Sequence, residues 1–234
     1  MITALLVSVN YSDYLELVLP YNSLRFDQII ILTIESDKVC QDVCSRYSNV
    51  KCLVFSDEIL KTNGKQFNKG AILNKGLEYL NDIGYSDWLV LTDSDIIFPE
   101  NFKELLISRE KVPNILYGMT RRHCKNVQCL KRYTRTKDKN ILFSRAREPA
   151  FVGYCQTFIY QANKYKFVEF SDAEQSDIKF IKYFDAGFKR FPDLFEPDLF
   201  EKCPNLVLLS DTDFVIHLGQ PGRNWKGRTS PKFI

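Results

Sequence analysis

Two aspartates separated by one serine, Asp93 and Asp95, follow directly on the apolar run Trp88-Leu89-Val90-Leu91-Thr92. Carboxylates so spaced can hold one hard divalent cation where the backbone turns, leaving coordination positions open for phosphate oxygens. Solvated loops produce the same spacing; what favours a metal here is the place of the pair at the end of a strand-length run. Ligands of open α/β sheets sit beyond the carboxyl ends of the strands. Near the C-terminus, Arg223-Asn224-Trp225-Lys226-Gly227-Arg228 combines cations that can pair with phosphates, glycine for mobility and a tryptophan able to cover a sugar ring. A disordered basic tail is the plainer alternative.

The elements that must position these groups are legible as hydrophobic periodicity. Apolar runs near 2–9, 28–34 and 50–55 predict strands, and the segments from about 12 and about 36 predict helices, with Ser12 and Ser36 as candidate N-caps. This rhythm predicts an α/β fold: a mostly parallel sheet flanked by helices, in a single domain. From Lys65 to Asn81, the apolar residues Ile72, Leu73, Leu77 and Leu80 give a helix one buried stripe. Gly70 and Gly76 within it point to close approach by backbone or ligand, or to tight packing on a neighbour. Pro99 is expected to open a helix over about 99–109. Between Met119 and Pro149 the periodicity fails in a polar segment with ten Lys/Arg and two acidic residues. A β-like run at 150–160, a helix over about 173–186 and two short strands after Leu206 complete the pattern.

Hydrophobic residues make up 45% of the 234 and charged residues 26%, with a formal net charge of +3, the profile of a soluble globular protein. Aromatic residues are sparse in the basic segment, which argues against nucleic acid as a partner, although that segment could meet an anionic acceptor or a membrane surface peripherally. No stretch approaches the roughly 20 apolar residues of a membrane span. Seven cysteines at irregular spacings, with no basic, apolar leader, predict reduced thiols in a cytoplasmic setting.

Taken together, Asn10-Tyr11-Ser12 after the first strand, Asn68-Lys69-Gly70 and Asn74-Lys75-Gly76 on one helix, Thr92-Asp93-Ser94-Asp95 and then Phe98-Pro99 resemble the GT-A (Rossmann-like) glycosyltransferases, especially the inverting family 2 type. The resemblance covers roughly the first 110 residues, in the family's order. It implies a donor half at about 1–110 and an acceptor half at about 111–234 that ends in the basic loop.

The resemblance further implies a nucleoside-diphosphate sugar, a UDP-sugar first, as donor and a glycan, protein or lipid as acceptor. Val9, Asn10, Tyr11 and Glu35 or Asp37 would contact the base and ribose, although Asp37 is equally explained as a helix-opening residue. Lys69, Asn74, Asp93 and Ser94 would face nucleotide or sugar, with a solvated helix face as the alternative for Lys69 and Asn74. Asp95, with Asp93 and His217, would hold Mn²⁺ or Mg²⁺, and Arg223, Trp225, Lys226 and Arg228 would close over the diphosphate. Gln175 stands where the family has its basic aspartate, leaving Glu174, or Asp172, to deprotonate the acceptor. The non-enzymatic alternative is a degenerate domain that binds nucleotide-sugar or glycan without turnover.

Overall fold

The computed structural model describes residues 1–143, 154–169, 180–184, 205–219, 228 and 232–233. The first half alternates as expected: β1 (Ile2–Val7), α1 (Ser12–Asn22), β2 (Gln28–Ile34), α2 (Lys38–Ser45), β3 (Val50–Phe55), α3 (Lys69–Asp82) and β4 (Trp88–Asp93). There follow β5 (Ile96–Ile97), α4 (Phe102–Ile107), β6 (Leu116–Gly118), β7 (Thr120–Cys124), α5 (Val127–Thr136), β8 (Gln156–Ile159), β9 (Leu206–Leu208) and β10 (Phe214–Leu218). Seven strands form one sheet in the order β3-β2-β1-β4-β8-β6-β9, and β5-β10-β7 form a second, small one. The pairs β3–β2, β2–β1 and β1–β4 are parallel, whereas β8 runs antiparallel to both β4 and β6. This is the mostly parallel sheet with flanking helices that the βα rhythm predicts.

Every residue of β1 is buried, as a central parallel strand covered on both faces requires. On one side Leu5, Ile30, Leu32 and Leu89 meet the α3 stripe Ile72, Leu73, Leu77 and Leu80 and an aromatic group that includes Phe158, Phe167 and Phe180. On the other side Ala4, Ile29, Ile31 and Val90 meet Leu15 and Leu19 of α1, Val43 of α2 and Phe102 of α4. Gly76 owes its lack of a side chain to packing: a Cβ there would lie 2.8 Å from Leu32 Cδ1 and 2.9 Å from Leu5 Cδ1. Gly70 would meet the backbone carbonyl oxygen of Val168 at 2.8 Å. Gly70 is thus closely approached by backbone, and Gly76 by the side chains of two leucines.

Several boundaries differ from the sequence expectation. Tyr11, not Ser12, is the N-cap of α1, and Asp37, not Ser36, caps α2, accepting from the Cys40 amide at 3.1 Å. The helix expected from Lys65 starts at Lys69, because Asn68 takes the cap, accepting from the Ala71 amide at 3.1 Å. Pro99 precedes α4 rather than opening it, with Asn101 at the N-cap. The polar stretch at 119–149 contains regular structure: strand β7 joins the small sheet with His123 and Cys124 buried, and α5 buries only Leu130. Of the helix expected over 173–186, only 180–184 lies within the described residues. The six cysteines described are free thiols. No helix among the described residues is long and apolar enough to cross a membrane.

Candidate functional site

The carboxyl ends of β1, β2 and β4 converge on one edge of the sheet, since these strands are parallel neighbours in register. Val9, Asn10 and Tyr11 follow β1, Asp37 follows β2, Asp93 ends β4, and Ser94 and Asp95 follow it. The small sheet completes the edge. Strand β10 pairs with β5 and its Leu218 amide donates to the Asp95 carbonyl at 2.9 Å, which brings His217 alongside Asp95. His217 Nε2 lies 3.5 Å from Asp95 Oδ2. Behind it, His217 Nδ1 and His123 Nδ1 are 3.1 Å apart, a consequence of the in-register pairing of His217 with His123 between β10 and β7. The tautomer of His217 that leaves the Nε2 lone pair free for a metal is the one in which its Nδ1–H donates to His123.

Asp95 Oδ1 is buried with no hydrogen-bond partner. Burial, and then the charge of Asp93, push the Asp95 carboxyl up to about 8, partly offset by Arg121 and Lys69. Lys69 Nζ is buried and salt-bridged to Asp93 Oδ1 at 2.8 Å. The Tyr11 hydroxyl is pushed well above the usual tyrosine range by burial and then by Asp95 and Asp93, so it stays protonated beside the two aspartates. Among the described residues no group of three His, Cys, Asp or Glu side chains is arranged to hold a metal unaided. Asp95 and His217 make a two-ligand donor set of carboxylate and imidazole, a set that a ligand's phosphate oxygens can complete, as is common for Mg²⁺.

The expected donor contacts are brought together only in part. Val9 and Asn10 line a cavity of about 250 Å³ together with Ile34, Asp57, Gln66 and Arg228. Ser94 is buried beside the aspartates, whereas Glu35 is exposed at the end of β2 and does not line that cavity. Asp37 is spent on backbone: besides capping α2 it accepts from the Asn10 amide at 2.6 Å, holding Asn10 in its left-handed conformation at φ 63°. Asn74 is likewise committed away from any donor. Its amide donates to the Phe167 carbonyl at 3.1 Å and accepts from the Phe167 amide at 2.7 Å, tying α3 to the segment that crosses it. Arg228, expected over a diphosphate, instead forks onto Asp13, with Nη2–Oδ2 at 2.8 Å, and donates to the Asn10 carbonyl at 2.7 Å. Burial raises the Asp13 carboxyl, but that fork and the Phe233 amide outweigh it and hold Asp13 below the usual range. Asp172, Glu174, Arg223, Trp225 and Lys226 lie outside the described residues.

Several solved structures are similar to this chain at low sequence identity. Over 94% of its length the chain is similar to 73% of glucosyl-3-phosphoglycerate synthase from Mycobacterium tuberculosis in complex with phosphoglyceric acid, at 14% identity and a TM-score of 0.48. A structure of the same enzyme with Mn²⁺, uridine diphosphate and phosphoglyceric acid gives 15% identity, 94% and 72% coverage and a TM-score of 0.46. The 4-diphosphocytidyl-2C-methyl-D-erythritol synthase of Anaerococcus prevotii gives 14% identity, 94% and 88% coverage and 0.43. No protein-family model matches the sequence. No curated protein matches it either.

Sequence reasoning missed two residues of this edge. Arg121, whose charge opposes the rise of the Asp95 carboxyl, and His123 sit two apart on β7 and so share a face. No periodicity in Arg121-Arg122-His123-Cys124 marks them, and they lie in a run dominated by lysine and arginine.

Proposed function

We propose that this chain is a metal-dependent glycosyltransferase of the GT-A type, moving a sugar from a nucleoside-diphosphate sugar, with a UDP-sugar as first candidate, to a glycan, protein or lipid acceptor with inversion. One observation carries the reading. Asp95 has a buried carboxylate oxygen without a partner and its other oxygen faces an imidazole nitrogen, an arrangement costly to the metal-free protein and relieved by a cation. Mn²⁺ or Mg²⁺ bound there would neutralise charge developing on the departing diphosphate. Asp95 and His217 would be its protein ligands, with Asp93 beside them.

The chain's own groups supply the rest. Lys69 holds the Asp93 carboxylate in place at 2.8 Å, and Lys69 and Arg121 set a positive potential at the edge where a diphosphate would lie. The protonated Tyr11 hydroxyl can donate to a phosphate or ribose oxygen. Val9, Asn10, Asp57 and Gln66 offer an apolar wall and polar groups to a nucleoside. Glu174, or Asp172, takes the proton from the acceptor hydroxyl in this proposal.

The test is release of nucleoside diphosphate from a panel of nucleotide-sugars, with Mn²⁺ or with chelator, for the wild type and Asp95→Asn. Metal-dependent release from one donor, lost in the variant, is the expected result. Tight metal-dependent binding without release, acceptors present, would make the chain a binding module. The absence of both binding and release would sink the metal-site reading.

A further inference from the structure

Asn10, in the turn between β1 and α1, lies in the left-handed region at φ 63°. That conformation is unfavourable for a residue with a side chain, though least so for asparagine, and it persists where the surroundings over-determine it. Two charged groups do so here, from opposite ends of the residue. The Asn10 amide donates to Asp37 Oδ2 at 2.6 Å, and the Asn10 carbonyl accepts from Arg228 Nη1 at 2.7 Å. Asp37 is itself fixed by capping α2. Arg228 is fixed by Asp13, in the first turn of α1, which it grips with both Nη1 and Nη2, the latter 2.8 Å from Oδ2.

The pair is shielded from water. The side chains of Arg228 and Asp13 are 12% and 20% exposed, and the guanidinium lies 5.1 Å from the ring centroids of both Tyr11 and Tyr14. Phe233 adds its amide to Asp13 Oδ2 at 3.0 Å and its ring to Tyr14, with centroids 5.4 Å apart. An arginine 218 positions along the chain thus turns its fork onto one turn of the site. Asn10 lines, with Val9 and Arg228, the cavity of about 250 Å³ assigned above to a nucleoside. Its neighbour Tyr11 carries the hydroxyl beside Asp95 and Asp93. We infer that Asp13 and Arg228 are positioning residues for the nucleoside half of the donor. Arg228 acts through the Asn10 carbonyl, holding the turn in the shape a nucleoside meets, and is not a ligand of the diphosphate. This inference rests on the nucleotide-sugar reading. A turn already ordered before the ligand arrives binds more tightly than one that must be ordered on binding.

The probes are uridine, guanosine and thymidine and their 5′-diphosphates with Mg²⁺, titrated by ligand-observed NMR against the full chain, Asp13→Asn, Arg228→Gln and the double variant. Each single variant should raise the Kd of the preferred nucleoside by about fivefold or more, and that of its diphosphate by the same factor. The double variant should be no worse than either single one, because the pair acts as a unit. A merely structural role would lower the fraction of chain able to bind and leave the Kd of the remainder unchanged. Should Asp13→Asn fail to fold, Arg228→Gln carries the comparison of nucleoside with diphosphate from the other partner. The sign for Asp13→Asn decides even where the nucleoside alone binds too weakly to titrate. A diphosphate bound as well or more tightly once Asp13 releases the arginine would overturn the inference. So would a loss in Arg228→Gln that is larger for the diphosphate than for the nucleoside, which would make Arg228 a phosphate ligand. Both results leave the nucleotide-sugar reading standing, whereas a wild type that binds none of the six probes removes that reading and this inference with it.

Discussion

Replacing Asp95 by asparagine should stabilise the metal-free protein, and the gain should depend on pH. The carboxyl is held at about 8 in the folded chain, by burial and then by Asp93, against an ordinary value of 3.8. Between those values the folded chain binds more protons than the unfolded chain, so stability falls as pH rises from about 4 to about 8, by at most about 1.4 kcal/mol per pH unit. At pH 7 the whole effect is on the order of 4 kcal/mol. The 14% of the Asp95 side chain still in solvent reduces it, to roughly 2–4 kcal/mol. Asparagine keeps the shape and carries no charge, so Asp95→Asn should raise Tm at pH 7 by roughly 5–15 °C for a chain of this length. Near pH 4 the two proteins should melt together. Thermal melts in chelator across pH 4–8 test this, and Mn²⁺ added at pH 7 should then raise the wild type and not the variant. A variant no more stable than wild type at pH 8, or a gap of the same size at pH 4 and pH 8, would refute the electrostatic account of Asp95.

His123→Phe should weaken Mn²⁺ binding about 10- to 100-fold, as loss of a ligand's outer hydrogen-bond partner does, with the Mn²⁺ electron spin resonance signal as readout and His123→Gln expected to recover part of the loss. Asn74→Leu should destabilise by roughly 2–4 kcal/mol in urea melts, because it strands both the amide and the carbonyl of Phe167, while leaving the affinity for nucleoside diphosphate unchanged. Gly70→Ala should cost roughly 1–3 kcal/mol in the same assay, since its Cβ meets a backbone carbonyl at 2.8 Å that has no rotamer to yield.

How much of this was legible in the sequence depends on the range of the interaction involved. The βα rhythm and the position of Asp93–Asp95 at a strand end follow from local periodicity, and the structure keeps both. The partners of single polar residues do not follow from it. Lys69 and Asn74 lie on the same helix and looked alike as candidate ligand contacts, yet one reaches Asp93 and the other is consumed by Phe167, 93 positions away. Asp37 shows the same range: its carboxylate serves two backbone amides, one of them 27 positions back.

The two histidines show where such reasoning recovers its reach. His217 could be singled out because it follows the apolar run Phe214-Val215-Ile216, whereas His123 lay in a run dominated by lysine and arginine. Parallel pairing of β7 with β10 places the two in register and so sets the imidazoles side by side. Their contact at 3.1 Å, with Asp95 on the far side of His217, then follows from register rather than from either residue's own neighbours in the chain. Strand pairing is therefore the step that converts a lone candidate ligand into a supported one, and it makes the loss of metal affinity expected for His123→Phe a test of the sheet's register as much as of the site.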